Sequence, residues 1–380
     1  MSIEELIAAR GAELAADKLE AEAPDLERLG DLLGPAFETM LARAEKREVP
    51  VPVPWPGVAA ELGGGLWPGA YVLVGPPKAG KSQWAMQIAL NAAKAGSPVL
   101  YVALELGRVD LAARFAGLHT KRKWSRLYLG TDRAEVAGIA ERALRELVQL
   151  PIHVAYAPPY GFNPASLDVL ARKLVQAHPK VEGAPPPLVV LDFLQLVAGD
   201  EKELRQRIQR ATYAARSIAR ELGIAVLLVS ATAREHYAAL GVGSGKKGEK
   251  FLPLGQGDAG RLMGTGKESG EVEFSADAVL VLGRGRPHEK VTSPPRSVVW
   301  LAVAAIRAQS DNAQGWRRLL FNGGWFEEPT DREIAELVAA DAKAEAGKAE
   351  AEKPEPKKPG GRRGKAAERP ESEVVPDDGE

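Results

Sequence analysis

The chain has 380 residues, 45% of them hydrophobic, which is ample for one large α/β domain with extensions. Its formal net charge of −1 gives no global attraction to nucleic acid, so any basic surface must be local. The absence of cysteine excludes a disulfide framework, a zinc finger and a thiolate nucleophile, and His119, His153, His178, His236 and His288 are scattered without metal-ligand spacing.

Residues 1 to 48 are rich in alanine, leucine, glutamate and arginine at helical spacing and predict helix. Pro24 and the Gly34-Pro35 pair are expected to break that run, with Pro35 opening a further helix, Ala36 to Lys46. Val49 to Pro56 alternates with proline and predicts an extended linker. Strand Tyr71–Val74 then enters a glycine-rich loop, and helix Lys81 to Ala95 leaves it. Strand Val99–Leu104, helix Val109–Leu118, helix Asp132–Leu150, strand Ile152–Ala155 and helix Pro164–Ala177 follow. Strand Pro187–Asp192 is almost wholly apolar. The amphipathic helix Lys202–Leu222 closes at Gly223 before strand Ile224–Ser230. Ala278–Leu282, Val298–Ala305 and Arg318–Phe321 are later strands. Apolar strands alternating with helices predict a mostly parallel, twisted sheet covered on both faces. Tyr237 to Gly266 is glycine-rich and carries Lys246, Lys247, Lys250 and Arg261, which suits a functional loop. Residues 341 to 380 have almost no bulky apolar side chains and predict a disordered, charge-mixed tail. No signal pattern and no membrane-length apolar run is seen, so a cytoplasmic protein without membrane contact is expected.

Gly75-Pro76-Pro77-Lys78-Ala79-Gly80-Lys81-Ser82 fits G-x-x-x-x-G-K-[ST] between a strand and a helix, the setting in which that pattern cradles phosphates. Its backbone N–H groups and the helix N-terminus favour an anion. Lys81 is expected to reach the β- and γ-phosphates of ATP, Ser82 to ligate Mg²⁺, and Gln83 to bind the nucleotide together with the loop residues. Such a site needs a carboxylate at the end of another strand, and Asp192 closes the apolar strand Leu188 to Leu191. Glu105 follows strand Val99–Leu104 into the crevice at the carboxyl ends of the strands, where it could orient the attacking water. By position alone Glu105 is equally an ordinary strand-end acid.

These residues, taken together, resemble the C-terminal motor domain of DnaB-type replicative helicases, in the RecA-like superfamily. The resemblance runs from about Pro54 to Phe326. Leu62 to Gly69 is similar to the family's glycine-rich lead-in to the first strand. Leu100 to Leu106 is similar to its strand ending in S-L-E-M, which matches Glu105 to the catalytic glutamate. Leu191 to Leu196 is similar to I-D-Y-L-Q-L and matches Asp192 to the Walker B aspartate. Lys267 to Gly270, with Glu273, Ala276 and Asp277, is similar to the R-E-S-G and E-x-D-A-D signature.

The resemblance implies a helical N-terminal extension (1–48) with a linker helix that packs on the next subunit, and a proline-rich linker (49–56). A RecA-like ATPase domain (57–330) follows, then a tail (331–380) that starts helical. It also implies a hexameric ring with ATP between subunits and Arg307 as a finger reaching the neighbour's γ-phosphate. A surface arginine is an equal reading of Arg307. Single-stranded DNA would lie on Lys202, Arg205, Arg207 and the 237–266 loop with Lys246, Lys247, Lys250 and Phe251, against the alternative of a merely solvated loop. Ala231 stands where the family has its sensor glutamine, with Thr232 and Arg234 as possible substitutes, and Ala305 stands where it has a lysine. The expected function is an ATP-dependent helicase or translocase in DNA replication, with replication or repair proteins as possible partners. The alternatives are a filament-forming RecA-type recombination or repair ATPase, an ATP-dependent switch recruiting a protein partner, and, most remotely, a small-molecule kinase.

Overall fold

The computed structural model describes residues 28–156, 161–197, 204–232, 240, 276–287, 296–306 and 316–351. Helix α1 (Leu29–Ala44) and the short α2 (Pro56–Glu61) precede strand β1 (Gly69–Gly75). Then come α3 (Lys81–Lys94), β2 (Val99–Ala103), α4 (Arg108–Thr120), α5 (Trp124–Leu129), α6 (Arg133–Glu146) and β3 (Ile152–Tyr156). They lead to α7 (Pro164–Ala177), β4 (Leu188–Asp192), α8 (Leu204–Leu222) and β5 (Ala225–Ala231). The chain continues through β6 (Ala278–Pro287), β7 (Ser297–Ile306), β8 (Trp316–Phe321), β9 (Phe326–Glu327) and α9 (Asp331–Ala351).

The strands form one sheet in the order β3-β2-β4-β5-β1-β6-β7-β8-β9. From β3 to β6 every neighbouring pair is parallel, and from β6 to β9 every pair is antiparallel. Strand alternation explains why both faces are covered. Tyr71 and Leu73, with Leu188 and Val190, face α3, whereas Val72 and Val74, with Val189 and Leu191, face α7 and α8. Both sets are buried, so the parallel strands read as continuous apolar runs. The same alternation puts Tyr101, Ala103, Asp192 and Ala231 in phase with the α3 face, which is the face of the loop between β1 and α3.

Three expectations change. The segment Val49 to Pro56 is part of the core rather than a free linker. Its prolines alternate with Val51, Val53 and Trp55, all buried, and Trp55 stacks on Trp84 at 5.0 Å. Its indole N–H donates to the Phe326 carbonyl at 3.2 Å. Helix α1 runs straight through Gly34-Pro35 instead of restarting at Ala36. Proline removes one backbone donor, but the leucine-rich turn before it and the Ala36–Met40 turn after it both favour helix. Helix α9 continues to Ala351, past the expected start of disorder at 341, because alanine, glutamate and lysine are strong helix formers. Among the described residues no helix is long and apolar enough to cross a membrane.

Candidate active site

The loop from Gly75 to Gly80 leaves the carboxyl end of β1 and delivers Lys81 and Ser82 to the first turn of α3. Its shape depends on residues without a side chain at two places. Gly80 has φ +93, and a Cβ there would lie 2.7 Å from Cζ of Phe326. A Cβ on Gly75 would lie 2.9 Å from the Leu282 carbonyl and 3.5 Å from Cδ of Lys81. Lys78 is held at φ +61 in the same loop. Pro77 and Lys78 are exposed, while Pro76 and Ala79 are buried beneath them. The result is a backbone cradle at a helix N-terminus, which suits phosphate oxygens.

Lys81 folds back over the cradle. Its ammonium donates to the carbonyls of Gly75 at 2.8 Å and Pro76 at 3.1 Å. Burial pulls its pKa down to about 8, against the attraction of Asp192 and Glu105, and the nearby Arg284 charge lowers it further. The Ser82 hydroxyl donates to Oδ1 of Asp192 at 3.1 Å. The Tyr101 hydroxyl donates to Oδ2 of the same carboxylate at 2.6 Å. Burial pushes the Asp192 carboxyl above its ordinary range, and the hydrogen bonds from Tyr101 and Ser82 pull it back toward the ionised form. Glu105 stands two residues past Ala103, the register partner of Asp192, and is exposed to solvent.

Lys81, Ser82, Asp192 and Glu105 are thus gathered at the carboxyl ends of β1, β2 and β4. Two hard oxygen donors beside a half-buried ammonium fit a divalent cation shared with phosphate oxygens. Gln83 is buried, and its side chain turns away toward the protein: its amide donates to the Gly324 carbonyl, and its oxygen accepts from Arg114 at 3.4 Å. Arg205 and Arg207 lie in the first turn of α8. Lys202, Arg234, Lys246, Lys247, Lys250, Phe251, Arg261, the Lys267–Gly270 stretch, Glu273 and Arg307 lie outside the described residues.

Several contributors were not visible in the sequence. Tyr101 is the first, and a tyrosine inside an aliphatic strand was the available signal. Gln195 is the second. Its Nε2 donates to the Ser230 hydroxyl at 2.8 Å and its Oε1 accepts from the Ala231 N–H at 3.1 Å. It thereby extends the ladder past the point where β4 stops at Asp192, opposite Val229. The third is the turn from Asn322 to Phe326 beneath the loop, tied to α3 by Gln83 and by Gln87, which both donates to and accepts from Phe326 at 2.8 Å. Asp277 anchors the start of β1: its Oδ2 accepts from the Ala70 N–H at 2.9 Å, and Arg216 lies 3.4 Å from its other oxygen. Thr232, one of the two candidate replacements for a sensor glutamine, is buried at the end of β5 and donates its backbone N–H to the Gly75 carbonyl at 3.2 Å. The scattered histidines are also closer than their spacing suggested. His153 and His178 meet at 2.8 Å through their Nε2 atoms, although among the described residues no third histidine, aspartate or glutamate completes a metal group.

Residues 60–239 match the family model of the DnaB-like helicase C-terminal domain. The replicative DNA helicase DnaB of Leifsonia xyli subsp. xyli (strain CTCB07) is 28% identical over 235 residues, covering 60% of this chain and 46% of that protein. The replicative DNA helicase DnaB of Synechocystis sp. (strain ATCC 27184 / PCC 6803 / Kazusa) is 28% identical over 166 residues, 43% of this chain and 18% of that protein. The chain therefore spans less than half the length of these curated relatives. A DnaB-like replicative helicase, solved in a study of its interactions with primase, superposes with a TM-score of 0.62 at 18% identity, over 84% of this chain and 72% of that one. A separately solved ATPase domain superposes with a TM-score of 0.64 at 19% identity, over 80% of this chain and 100% of that one. At these identities the superpositions establish the RecA-like ATPase fold. Within that fold, residues 60–239 are similar to the DnaB-like helicase C-terminal domain.

Proposed function

We propose that the chain is an ATP-hydrolysing DNA helicase motor of the DnaB type, working as a ring-shaped oligomer, a hexamer, on single-stranded DNA in replication. The observation that carries this reading is the convergence of Lys81, Ser82, Asp192 and exposed Glu105 on one crevice beside the phosphate cradle. Lys81 exchanges its two carbonyl partners for the β- and γ-phosphate oxygens, whose negative charge favours the ammonium form. Ser82 and Asp192 would hold Mg²⁺, which would supply positive charge to offset that of the phosphates. Glu105 meets water at the mouth of the crevice and orients it for attack, accepting its proton. The backbone of Gly75 to Ser82 wraps the phosphates, with Gln83 contributing through its main chain.

In the ring, Arg307 reaches the neighbour's γ-phosphate. Helix α1 supplies a subunit contact: Leu29, Leu33, Phe37, Met40 and Leu41 are exposed along it, while Ala42 alone of its described residues is buried. Docking on the next subunit covers those side chains. Lys202, Arg205, Lys246, Lys247 and Lys250 contact the DNA backbone in the central channel, as counterion-releasing cations. Residues 57–330 form the motor together with the buried 49–56 segment, and residues 1–48 form the extension that joins subunits.

The deciding experiment is steady-state ATP hydrolysis with and without single-stranded DNA, beside Glu105→Gln. A several-fold rise with DNA and a dead variant support the motor. Slow turnover indifferent to DNA sinks it, and favours an ATP-dependent switch that recruits a protein partner. One observation points that way: Ala231 presents a methyl group where the family's glutamine would reach the γ-phosphate.

A further inference from the structure

We infer that Tyr101 is a positioning residue for the cation-side carboxylate, holding one oxygen of Asp192 so that the other is committed to Ser82 and the divalent cation. The inference rests on the nucleotide reading above. Three observations carry it.

Tyr101 is completely buried, in a strand whose other members, Val99, Leu100, Val102 and Ala103, are aliphatic. Apolar packing alone does not call for a phenol there, since a buried hydroxyl is costly unless it is paired. Its partner is not a neighbouring carbonyl but the Oδ2 of Asp192, at 2.6 Å.

The geometry is over-determined. Tyr101 sits opposite Val190, and Ala103 opposite Asp192, so the side chain reaches along the sheet by one same-face step. Phe115 packs edge-on against the ring at a centroid distance of 5.8 Å, which fixes the ring plane. The hydroxyl therefore has one place to point.

The carboxylate is divided between two donors. Oδ2 belongs to Tyr101, and Oδ1 to Ser82 at 3.1 Å. A cation arriving beside Ser82 meets Oδ1 already turned toward it. Without Tyr101 the carboxylate is free to rotate about its last torsion, and binding must then freeze it. Partners that orient metal ligands in this way typically govern metal affinity by about 10–100-fold.

The test is binding of a fluorescent ADP analogue to the full chain, first in EDTA and then across a Mg²⁺ titration, for wild type, Tyr101→Phe, Ser82→Ala and Asp192→Asn. Tyr101→Phe keeps the ring against Phe115 and removes one oxygen. We expect its affinity in EDTA to equal wild type and its Mg²⁺ midpoint to rise about tenfold or more. An unchanged or lowered midpoint overturns the assignment. So does loss of affinity in EDTA, because Tyr101 would then act through the fold. If wild-type binding ignores Mg²⁺ and matches Ser82→Ala and Asp192→Asn, the cation site has failed and the role of Tyr101 falls with it; if wild type does not bind the analogue at all, the nucleotide reading itself has failed.

Discussion

Asp192 and Glu105 leave neighbouring strands of one parallel sheet, on the same face and with the same functional group, yet they occupy opposite environments. Asp192 is buried and both of its oxygens are taken by donors. Glu105 stands one same-face step beyond the end of β2, in solvent. A dry, immobilised carboxylate is destabilising unless a cation offsets its lost hydration. A wet one exchanges protons with water and can orient it. The sheet thus separates two carboxylate tasks by extending one strand's acid a step further into the crevice.

The largest disturbance to this pair comes from Lys81, whose positive charge favours both. Lys81→Ala should abolish nucleotide binding in an equilibrium assay and bring hydrolysis to background. Persistent turnover in that variant means the crevice is not the nucleotide site. Next in size is Glu105→Gln, which should lower turnover by about 10²–10⁴-fold while nucleotide still binds. Should binding and turnover fall together, the exposed acid would share the task assigned to Asp192, and the contrast between them would dissolve.

Gly80→Ala probes the floor rather than the carboxylates. The added Cβ would meet Cζ of Phe326 at 2.7 Å, with φ at +93. Phe326 cannot retreat easily, because it stacks on Phe321 at 4.5 Å and its backbone is gripped by Gln87. A loss of about 1–3 kcal/mol in denaturant melts is expected. A melt indistinguishable from wild type would show that the Asn322–Phe326 turn yields and does not brace the loop.

What the sequence disclosed follows from the range of the interactions involved. Helix Pro164–Ala177 was readable to the residue because Asn163 caps it locally, accepting from the Ser166 N–H at 2.9 Å. The loop from Gly75 to Ser82 and the apolar run into Asp192 are local patterns too. The roles of Tyr101, Gln195 and the Asn322–Phe326 turn are not. Tyr101 meets a carboxylate 91 residues away, and Gln83 meets a carbonyl 241 residues away. No spacing rule connects such positions. The proline alternation at 49–56 is ambiguous for a related reason: period-two spacing suits an extended linker, and it equally sets Val51, Val53 and Trp55 toward the core.

The end of β5 offers the finest test. Gln195 satisfies the Ala231 N–H and the Ser230 hydroxyl, so Gln195→Ala should cost about 1 kcal/mol in stability, read by thermal or chemical melts. A larger loss would mean that this bridge also holds the chain leaving β4. Ala231 itself is partly exposed and pairs with Gly75 across the β1–β5 register, so β1 places no side chain directly opposite it. Ala231→Gln should therefore be accommodated with little loss of stability, and it places an amide at the carboxyl end of β5. If phosphate sensing is what this chain lacks, stimulation of hydrolysis by single-stranded DNA should rise by a few-fold in the variant. If it stays the same, the Asp192–Glu105 pair with Lys81 already couples the site to DNA by another route, and the alanine is no defect.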